Sequence, residues 1–212
     1  MLNDCKKILV LAPHTDDAEL GCGGTIAKFI EAGKEVFWAV FSKASVPKQF
    51  SSNSNIVLKE LKQSAKILGV SSQNLIIYKY PTRHLPEYRQ SILEKMLKLK
   101  ERINPDIVFM PSLNDIHQDH LTIAQEGLRA FKHITILGYE DPWNNLTFNT
   151  TSFIHLEKRH VEKKAMAIEK YKSQSHRLYV SKDFVESLAH ARGIQIGTQY
   201  AEAFETTRFI VK

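Results

Sequence analysis

The chain has 212 residues, of which 43% are apolar and 25% charged, a globular composition that excludes a disordered chain, a fibrous repeat or a disulfide scaffold. The two cysteines, Cys5 and Cys22, lack C-x-x-C spacing, so we expect both to be reduced and neither to belong to a thiolate zinc site. The net charge of +6 comes from scattered Lys and Arg residues. That scatter favours solvated helix faces over a nucleic-acid-binding surface.

The first apolar run, over residues 8–13, is too short for a signal peptide or a membrane span. Acidic residues follow it at once. We therefore expect a cytoplasmic protein without stable membrane insertion, whose partners are small molecules rather than nucleic acids.

Short apolar runs alternate with longer amphipathic stretches over the first 140 residues, which is the pattern of repeated β-α units. A continuously apolar run predicts a first strand over 8–12 that is buried on both faces. A helix over 21–32 follows and ends at Gly33. The other predicted elements of this part are strands over 36–41, 75–78, 107–110 and 134–137, and helices over 57–68, 87–103 and 121–131.

The last third of the chain departs from this alternation. It predicts a short strand over 153–156, helices over 161–171 and 183–191, and one or two strands over 200–210. We predict a single domain over 1–212 with a Rossmann-like, doubly wound α/β fold. Its core, residues 1–140, holds a mostly parallel sheet in the order 3-2-1-4-5, and residues 141–212 form a C-terminal α+β cap.

Side chains that can bind metal follow the first and fourth predicted strands. The sequence is P-H-T-D-D-A-E over 13–19 and N-D-I-H-Q-D-H over 114–120. In doubly wound sheets ligands bind beyond the carboxyl ends of the strands, where the strand order reverses. The commonest reversal places the first and fourth strands side by side, so we expect the two clusters to meet.

Two imidazoles and a carboxylate are a suitable ligand set for a divalent cation. His14 and Asp17 are three residues apart, so one helical turn brings both to the same side. A third ligand from His117 or His120 gives two nitrogens and one oxygen with a position left for water, which is typical of a catalytic zinc site. Asp16 then stays available as a base.

Three glycines, Gly21, Gly23 and Gly24, allow the predicted first helix to approach a strand or a ligand closely. They do not form the dinucleotide motif, because the G-x-G-x-x-G spacing is absent and two acidic residues precede them. We predict no NAD site. A packing role and a ligand-facing role for these glycines both stay open.

These motifs resemble those of the zinc-dependent N-deacetylases of the LmbE/PIG-L family, which remove acetyl groups from N-acetylglucosamine-type amides. The A-H-P-D-D-like motif corresponds to P-H-T-D-D over 13–17, and the H-x-D-H motif to H-Q-D-H over 117–120. The resemblance implies that His14, Asp17 and His120 bind zinc, with ferrous iron or another divalent ion as alternatives.

The resemblance also implies three catalytic roles. Asp16 is the general base, His117 is the electrophilic or acid group, and Asp119 orients His117. With these roles a metal-activated water hydrolyses the amide, and acetate and a free amine are the products.

The sequence departs from the family pattern where substrate is bound. Val57 stands where relatives carry an Arg that contacts sugar hydroxyls. Arg83 is a candidate replacement or a solvated loop residue. Trp143 either stacks on a sugar ring or packs under the cap, and Gln174 is expected near the entrance.

The function implied is metal-dependent N-deacetylation of a small molecule that contains an N-acetylated amino sugar, in glycan or cell-envelope synthesis. One alternative is a metal-dependent esterase or phosphoesterase, although phosphoryl transfer commonly uses two metals. Another is a non-catalytic carbohydrate-binding protein that retains the metal site. Homo-oligomerisation stays open.

Overall fold

The computed structural model describes residues 5–43 and 55–211. Within these residues one sheet of seven strands is flanked by helices on both faces. The elements in chain order are β1 (Lys7–Ala12), α1 (Asp17–Glu31), β2 (Glu35–Ser42), α2 (Ile56–Leu68), β3 (Leu75–Tyr80), α3 (Arg89–Ile103), β4 (Ile107–Pro111), α4 (Gln118–Ala130), β5 (Thr135–Tyr139), β6 (Ser152–Leu156), α5 (Lys158–Ile168), α6 (Lys182–Ile194) and β7 (Tyr200–Arg208).

The sheet has the order β3-β2-β1-β4-β5-β7-β6. Strands β1 to β5 are parallel, and β7 pairs antiparallel with both β5 and β6. The predicted order 3-2-1-4-5 is confirmed for these five strands. The C-terminal third differs from a simple cap, because its two strands extend the same sheet beyond β5.

The central strand β1 is buried on both faces. Ile8, Val10 and Ala12 belong to the apolar cluster that contains side chains of α1, α2 and α5. Leu9 and Leu11 belong to the cluster formed with α3 and α4. Because successive side chains of a strand point to opposite faces, a strand covered on both sides must be apolar throughout.

Helices α1 and α4, like α5, begin three or more residues earlier than predicted. Helix α1 starts at Asp17 and is kinked at Cys22, and α4 starts at Gln118. The first turns of both helices are polar, so the apolar periodicity used for the prediction does not include them. Both turns carry side chains of the site described below.

The glycines of α1 pack against neighbouring elements. A Cβ atom on Gly21 would lie 2.3 Å from the ring of Tyr139 in β5, and one on Gly24 would lie 2.5 Å from Leu156 in β6. Such distances are far below van der Waals contact. The packing role is therefore the one that the structure supports.

No helix within the described ranges combines the length and apolar character that crossing a bilayer requires.

Candidate metal centre and active site

The loops after β1 and β4 meet at one edge of the sheet. The two strands are adjacent and parallel, with Ile8 paired to Ile107, so both run towards the same edge. The loop after β1 supplies His14, the first residue of α1 is Asp17, and the first turn of α4 supplies His120. All three side chains are buried. The expected convergence of the two clusters is thus present.

Three potential ligand atoms face one another at nearly equal distances. Asp17 Oδ2 lies 3.2 Å from His14 Nδ1 and 3.3 Å from His120 Nε2, and the two nitrogens are 3.3 Å apart. Tetrahedral zinc with bonds of about 2.0–2.1 Å requires ligand atoms about 3.3 Å apart. The spacing of the three atoms therefore fits one tetrahedral cation with a fourth position left open.

Each of the two imidazoles is held through its other nitrogen. His14 Nε2 lies 2.9 Å from Asp119 Oδ2, and His120 Nδ1 lies 2.7 Å from Asp115 Oδ2. A proton on each of these nitrogens satisfies the carboxylates and leaves lone pairs on His14 Nδ1 and His120 Nε2. Two lone pairs and a carboxylate oxygen that face one another in a buried site repel unless a cation or extra protons lie among them.

The electrostatics of the three residues agree with this requirement. Burial is the largest single effect and would lower the pKa of His14, but the charge of Asp17 together with the hydrogen bonds to Asp119 and Asp17 outweighs it and raises the pKa to about 9. Burial would likewise raise the pKa of Asp17, but the charges of His120 and His14 hold it well below its usual range. The cluster therefore attracts positive charge, as protons or as a metal ion.

Asp16 is positioned differently from these residues. It lies at the N-terminus of α1, its side chain is buried, and among the described residues its Oδ2 has no hydrogen-bond partner. It lines the same pocket as His14, Asp17 and His120. Burial, and next the charge of Asp17, raise the pKa of Asp16 to about 6. An unpaired carboxylate with such a pKa can accept a proton near neutral pH.

His117 caps α4 with its ring. Its Nδ1 accepts the backbone N–H of Asp119 at 3.1 Å, so the ring proton resides on Nε2. The ring centroid lies 4.7 Å from that of His120. Burial, and then the charges of His120 and His14, lower the pKa of His117 to about 4. The ring is therefore neutral and offers an N–H donor to the pocket that it lines.

The carboxylate of Asp119 does not reach His117, so the predicted role of Asp119 in orienting that ring rests on its backbone N–H. The carboxylate contacts His14, and it also accepts the backbone N–H groups of Arg83 at 2.6 Å and Leu85 at 3.0 Å. Only the backbone N–H of Asp119 reaches His117. The reason is the direction of the side chain, which leaves the first turn of α4 towards the loops after β1 and β3.

We expect Asp119→Asn to weaken zinc binding by about 10- to 100-fold, because His14 loses the carboxylate that fixes its ring. A competition titration with a chromophoric chelator measures the change. Asp183→Asn, an exposed carboxylate in α6, is the matched control and keeps the wild-type affinity. Unchanged affinity in Asp119→Asn would contradict this role.

Two carboxylates near His120 were not singled out from the sequence. Asp115 contacts His120 Nδ1 as described above, and Asp141 Oδ2 lies 3.2 Å from the same nitrogen. Burial raises the pKa of Asp141 to about 7. Asp115 stands two residues before His117 in the second motif, and this position was the available signal.

A pocket of about 130 Å³ opens onto the ligand atoms. Arg83 and Trp143, both predicted to bind substrate, line it. Arg177 and Tyr179 also line it and were not predicted. Trp143 stacks on Tyr179, with ring centroids 3.8 Å apart and an interplanar angle of 10°.

Gln174 lies elsewhere than at the expected entrance. It ends the short 3₁₀ helix Lys172–Gln174, is fully buried and is not part of the pocket wall. The adjacent Ser173 donates its backbone N–H to Glu60 Oε1 at 2.9 Å and its hydroxyl to Glu60 Oε2. This turn is thus anchored to α2 inside the protein, which removes Gln174 from the surface.

Residues 9–131 match the family model described as PIG-L, GlcNAc-PI de-N-acetylase. The chain belongs to the PIG-L family. A relative of this chain from Escherichia coli, the uncharacterized deacetylase YaiS, is 29% identical to it over 178 residues. The match covers 81% of this chain and 93% of YaiS. The diacetylchitobiose deacetylase of Thermococcus kodakarensis is 30% identical over 136 residues, 60% of this chain and 50% of that protein. The chain thus spans most of the first relative and about half of the second.

The fold agrees with this membership of the PIG-L family. The structure of N,N'-diacetylchitobiose deacetylase from Pyrococcus horikoshii, complexed with its inhibitor MPG, superimposes with a TM-score of 0.80. The match covers 96% of this chain and 84% of the other, at 24% identity. At this identity the likeness shows a shared fold.

Proposed function

We propose that the protein is a metal-dependent N-deacetylase that acts on small molecules containing an N-acetylated amino sugar. One observation carries the proposal: the equidistant ligand atoms of His14, Asp17 and His120 share a pocket with the unpaired, buried carboxylate of Asp16. Membership of a de-N-acetylase family and the deacetylases among the relatives support the amide as the bond that is cleaved.

His14, Asp17 and His120 would hold the cation, with zinc or ferrous iron as candidates. A divalent cation supplies Lewis acidity and lowers the pKa of water to about 7. Asp16 takes a proton from the water molecule that attacks the amide carbonyl carbon. When the C–N bond breaks, protonated Asp16 returns that proton to the leaving amine. Acetate and a free amino sugar result.

His117 has the electrophilic role in this mechanism. Its Nδ1 is occupied by the backbone N–H of Asp119, so Nε2–H is the group that it presents to the pocket. A neutral imidazole donates this hydrogen bond to the carbonyl oxygen as negative charge develops there. Transfer of that proton to the amine would leave an imidazolate, so the proton of Asp16 is the better one for the leaving group.

The pocket favours acyl chemistry over a phosphoesterase. The triad offers one complete ligand set with an open position, whereas phosphoryl transfer commonly uses two metals about 3.5–4 Å apart. The buried Oδ2 of Asp16, which has no hydrogen-bond partner among the described residues, also favours an enzyme over a carbohydrate-binding protein, because a buried acceptor without a partner costs stability and serves no ligand function.

The proposal is tested with purified protein that is stripped of metal and then reloaded with Zn²⁺ or Fe²⁺. We expect about one metal per chain, and acetate release from N,N'-diacetylchitobiose or from the methyl glycoside of N-acetylglucosamine only after reloading. An enzymatic acetate assay and elemental analysis give the two quantities. Equal acetate release by the stripped and the reloaded protein would overturn metal dependence. A fully loaded protein that releases no acetate from a panel of N-acetylated glycosides would overturn the deacetylase proposal.

A further inference from the structure

Tyr171 belongs to a buried polar group next to the active site that the mechanism above does not use. It lies between α5 and the short 3₁₀ helix Lys172–Gln174 and is fully buried. Its hydroxyl donates to the backbone carbonyl of Thr15 and lies 2.5 Å from Glu19 Oε1. Ser64 of α2 donates its hydroxyl to the same Glu19 oxygen, also at 2.5 Å. Buried hydrogen bonds thus join the segment after α5 to the start of α1 and to α2.

Helix α2 fixes the position of this tyrosine. Glu60 and Ser64 are four residues apart in α2 and therefore lie on the same face of the helix. Glu60 accepts both the backbone N–H and the hydroxyl of Ser173, two residues after Tyr171. The same face of α2 therefore holds the turn that carries Tyr171 and, through Glu19, contacts its hydroxyl.

The carbonyl that Tyr171 contacts belongs to the peptide directly before the proposed general base. Because a peptide unit is planar, the direction of the Thr15 carbonyl fixes the plane from which Asp16 continues. Asp16 Oδ2 has no hydrogen-bond partner among the described residues, so no contact of that oxygen holds the carboxylate in place. On the other side of Asp16, its own carbonyl accepts the backbone N–H of Leu20 at 3.3 Å. The two bonds hold the backbone on both sides of the base.

Tyr171 itself does not reach the substrate. It is not part of the pocket wall, and its ring belongs to the apolar cluster that contains side chains of α1, α2 and α5. A phenylalanine ring would fill the same space, so packing alone does not require the hydroxyl. A buried hydroxyl is retained at the cost of satisfying it with hydrogen bonds.

We propose that Tyr171 is a positioning residue for amide hydrolysis, which holds Asp16 beside the attacking water through the carbonyl of Thr15. This inference rests on the proposed function, because it takes Asp16 as the group that accepts the proton. Tyr171 lies outside residues 9–131, which match the family model. The C-terminal third of the chain thus contributes to the placement of the base as well as to the sheet.

The first test is Tyr171→Phe in the metal-loaded enzyme. We expect kcat to fall by about 10- to 30-fold, because a base displaced by a fraction of an ångström transfers the proton less efficiently. KM and the metal content stay within about twofold of wild type, since neither the pocket wall nor the ligand atoms change. Steady-state acetate release and elemental analysis measure these quantities, at a temperature where circular dichroism shows each variant to be folded. A packing role alone would leave kcat unchanged.

Tyr139→Phe is the matched control. Tyr139 of β5 is also fully buried, and its hydroxyl donates to the backbone carbonyl of Leu11 at 3.1 Å. The variant loses the same kind of buried hydrogen bond, but this bond lies within β1 rather than beside the base. We expect lower thermal stability and a kcat within about twofold of wild type.

A double-mutant cycle shows whether Tyr171 acts through Asp16. In the Asp16→Asn background we expect Tyr171→Phe to lower kcat by less than about twofold, because the group that it positions is already absent. The full loss in this background would overturn the proposal. Ser64→Ala perturbs the same contacts from α2, and we expect a kcat about threefold lower than wild type. Wild-type kcat in both Tyr171→Phe and Ser64→Ala would also contradict it.

Crystal structures of the zinc-loaded variants test the placement of Asp16 without turnover. In Tyr171→Phe we expect the Thr15 carbonyl and the Asp16 carboxylate to be displaced, while the ligand atoms of His14 and Asp17 stay at the metal. In Tyr139→Phe all of these groups keep their wild-type positions. This result supports the proposal even if no substrate releases acetate, so it is independent of the proposed function. An Asp16 carboxylate that keeps its wild-type position in Tyr171→Phe would overturn the proposal.

Discussion

Asp16→Asn will lower acetate release by about 10²- to 10⁴-fold while the metal content stays at the wild-type level, as expected for loss of a general base. The amide has nearly the same size as the carboxylate but cannot take a proton from the attacking water. Asp16 Oδ2 has no hydrogen-bond partner among the described residues, so an amide at this position displaces no partner of that oxygen. Steady-state acetate assays together with elemental analysis measure both quantities.

Asp183→Asn serves again as the control for this variant, since it makes the same change at an exposed position of α6. Asp16→Asn that retains more than about a tenth of the wild-type rate would show that another group accepts the proton. A large loss of metal would instead place Asp16 among the ligands.

His120→Ala will abolish both metal binding and activity. The imidazole supplies one of the three ligand atoms, so its removal leaves only two. It also removes the nitrogen that Asp115 Oδ2 and Asp141 Oδ2 contact. We expect the bound metal to fall below about a tenth of the wild-type amount. Elemental analysis after gel filtration at low free zinc provides the measurement.

His117→Ala is the companion variant, because it removes a neighbouring imidazole of the same motif. It keeps the metal and loses rate, since its ring lies outside the three-atom set and presents Nε2–H to the pocket. The opposite pattern, with metal lost in His117→Ala and kept in His120→Ala, would exchange the roles of the two histidines. Circular dichroism of both variants verifies that the fold is intact.

Much of the fold could be predicted from the sequence because the parallel strands are buried on both faces. The unbroken apolar run of β1 is typical of a central strand that is covered on both faces. The polar residues that follow it then lie at the carboxyl edge of the sheet. His14, Asp17 and His120 come together for this reason alone. The extension of the sheet by β7 and β6 was not predictable from the sequence. The antiparallel pairing of β7 with β5 joins residues far apart in the chain, and no local sequence pattern indicates it.

The contacts made by individual side chains within the site required the structure. The carboxylate of Asp119 contacts His14, and only its backbone N–H contacts His117, because of the direction in which α4 begins; spacing along the chain does not encode that direction. Arg177 is far from both motifs in sequence, and the spacing of the motifs does not predict that it lines the pocket. The neighbouring Ser173 is bound to Glu60, and Gln174 is buried in this turn rather than placed at the entrance.

The most direct test of the metal centre is anomalous diffraction at the zinc absorption edge from crystals grown with one equivalent of zinc. The account predicts one strong peak about 2.0–2.2 Å from His14 Nδ1, Asp17 Oδ2 and His120 Nε2 together. A peak bound instead between Asp115 and Asp141, or zinc-loaded crystals with no peak at the three atoms, would contradict it.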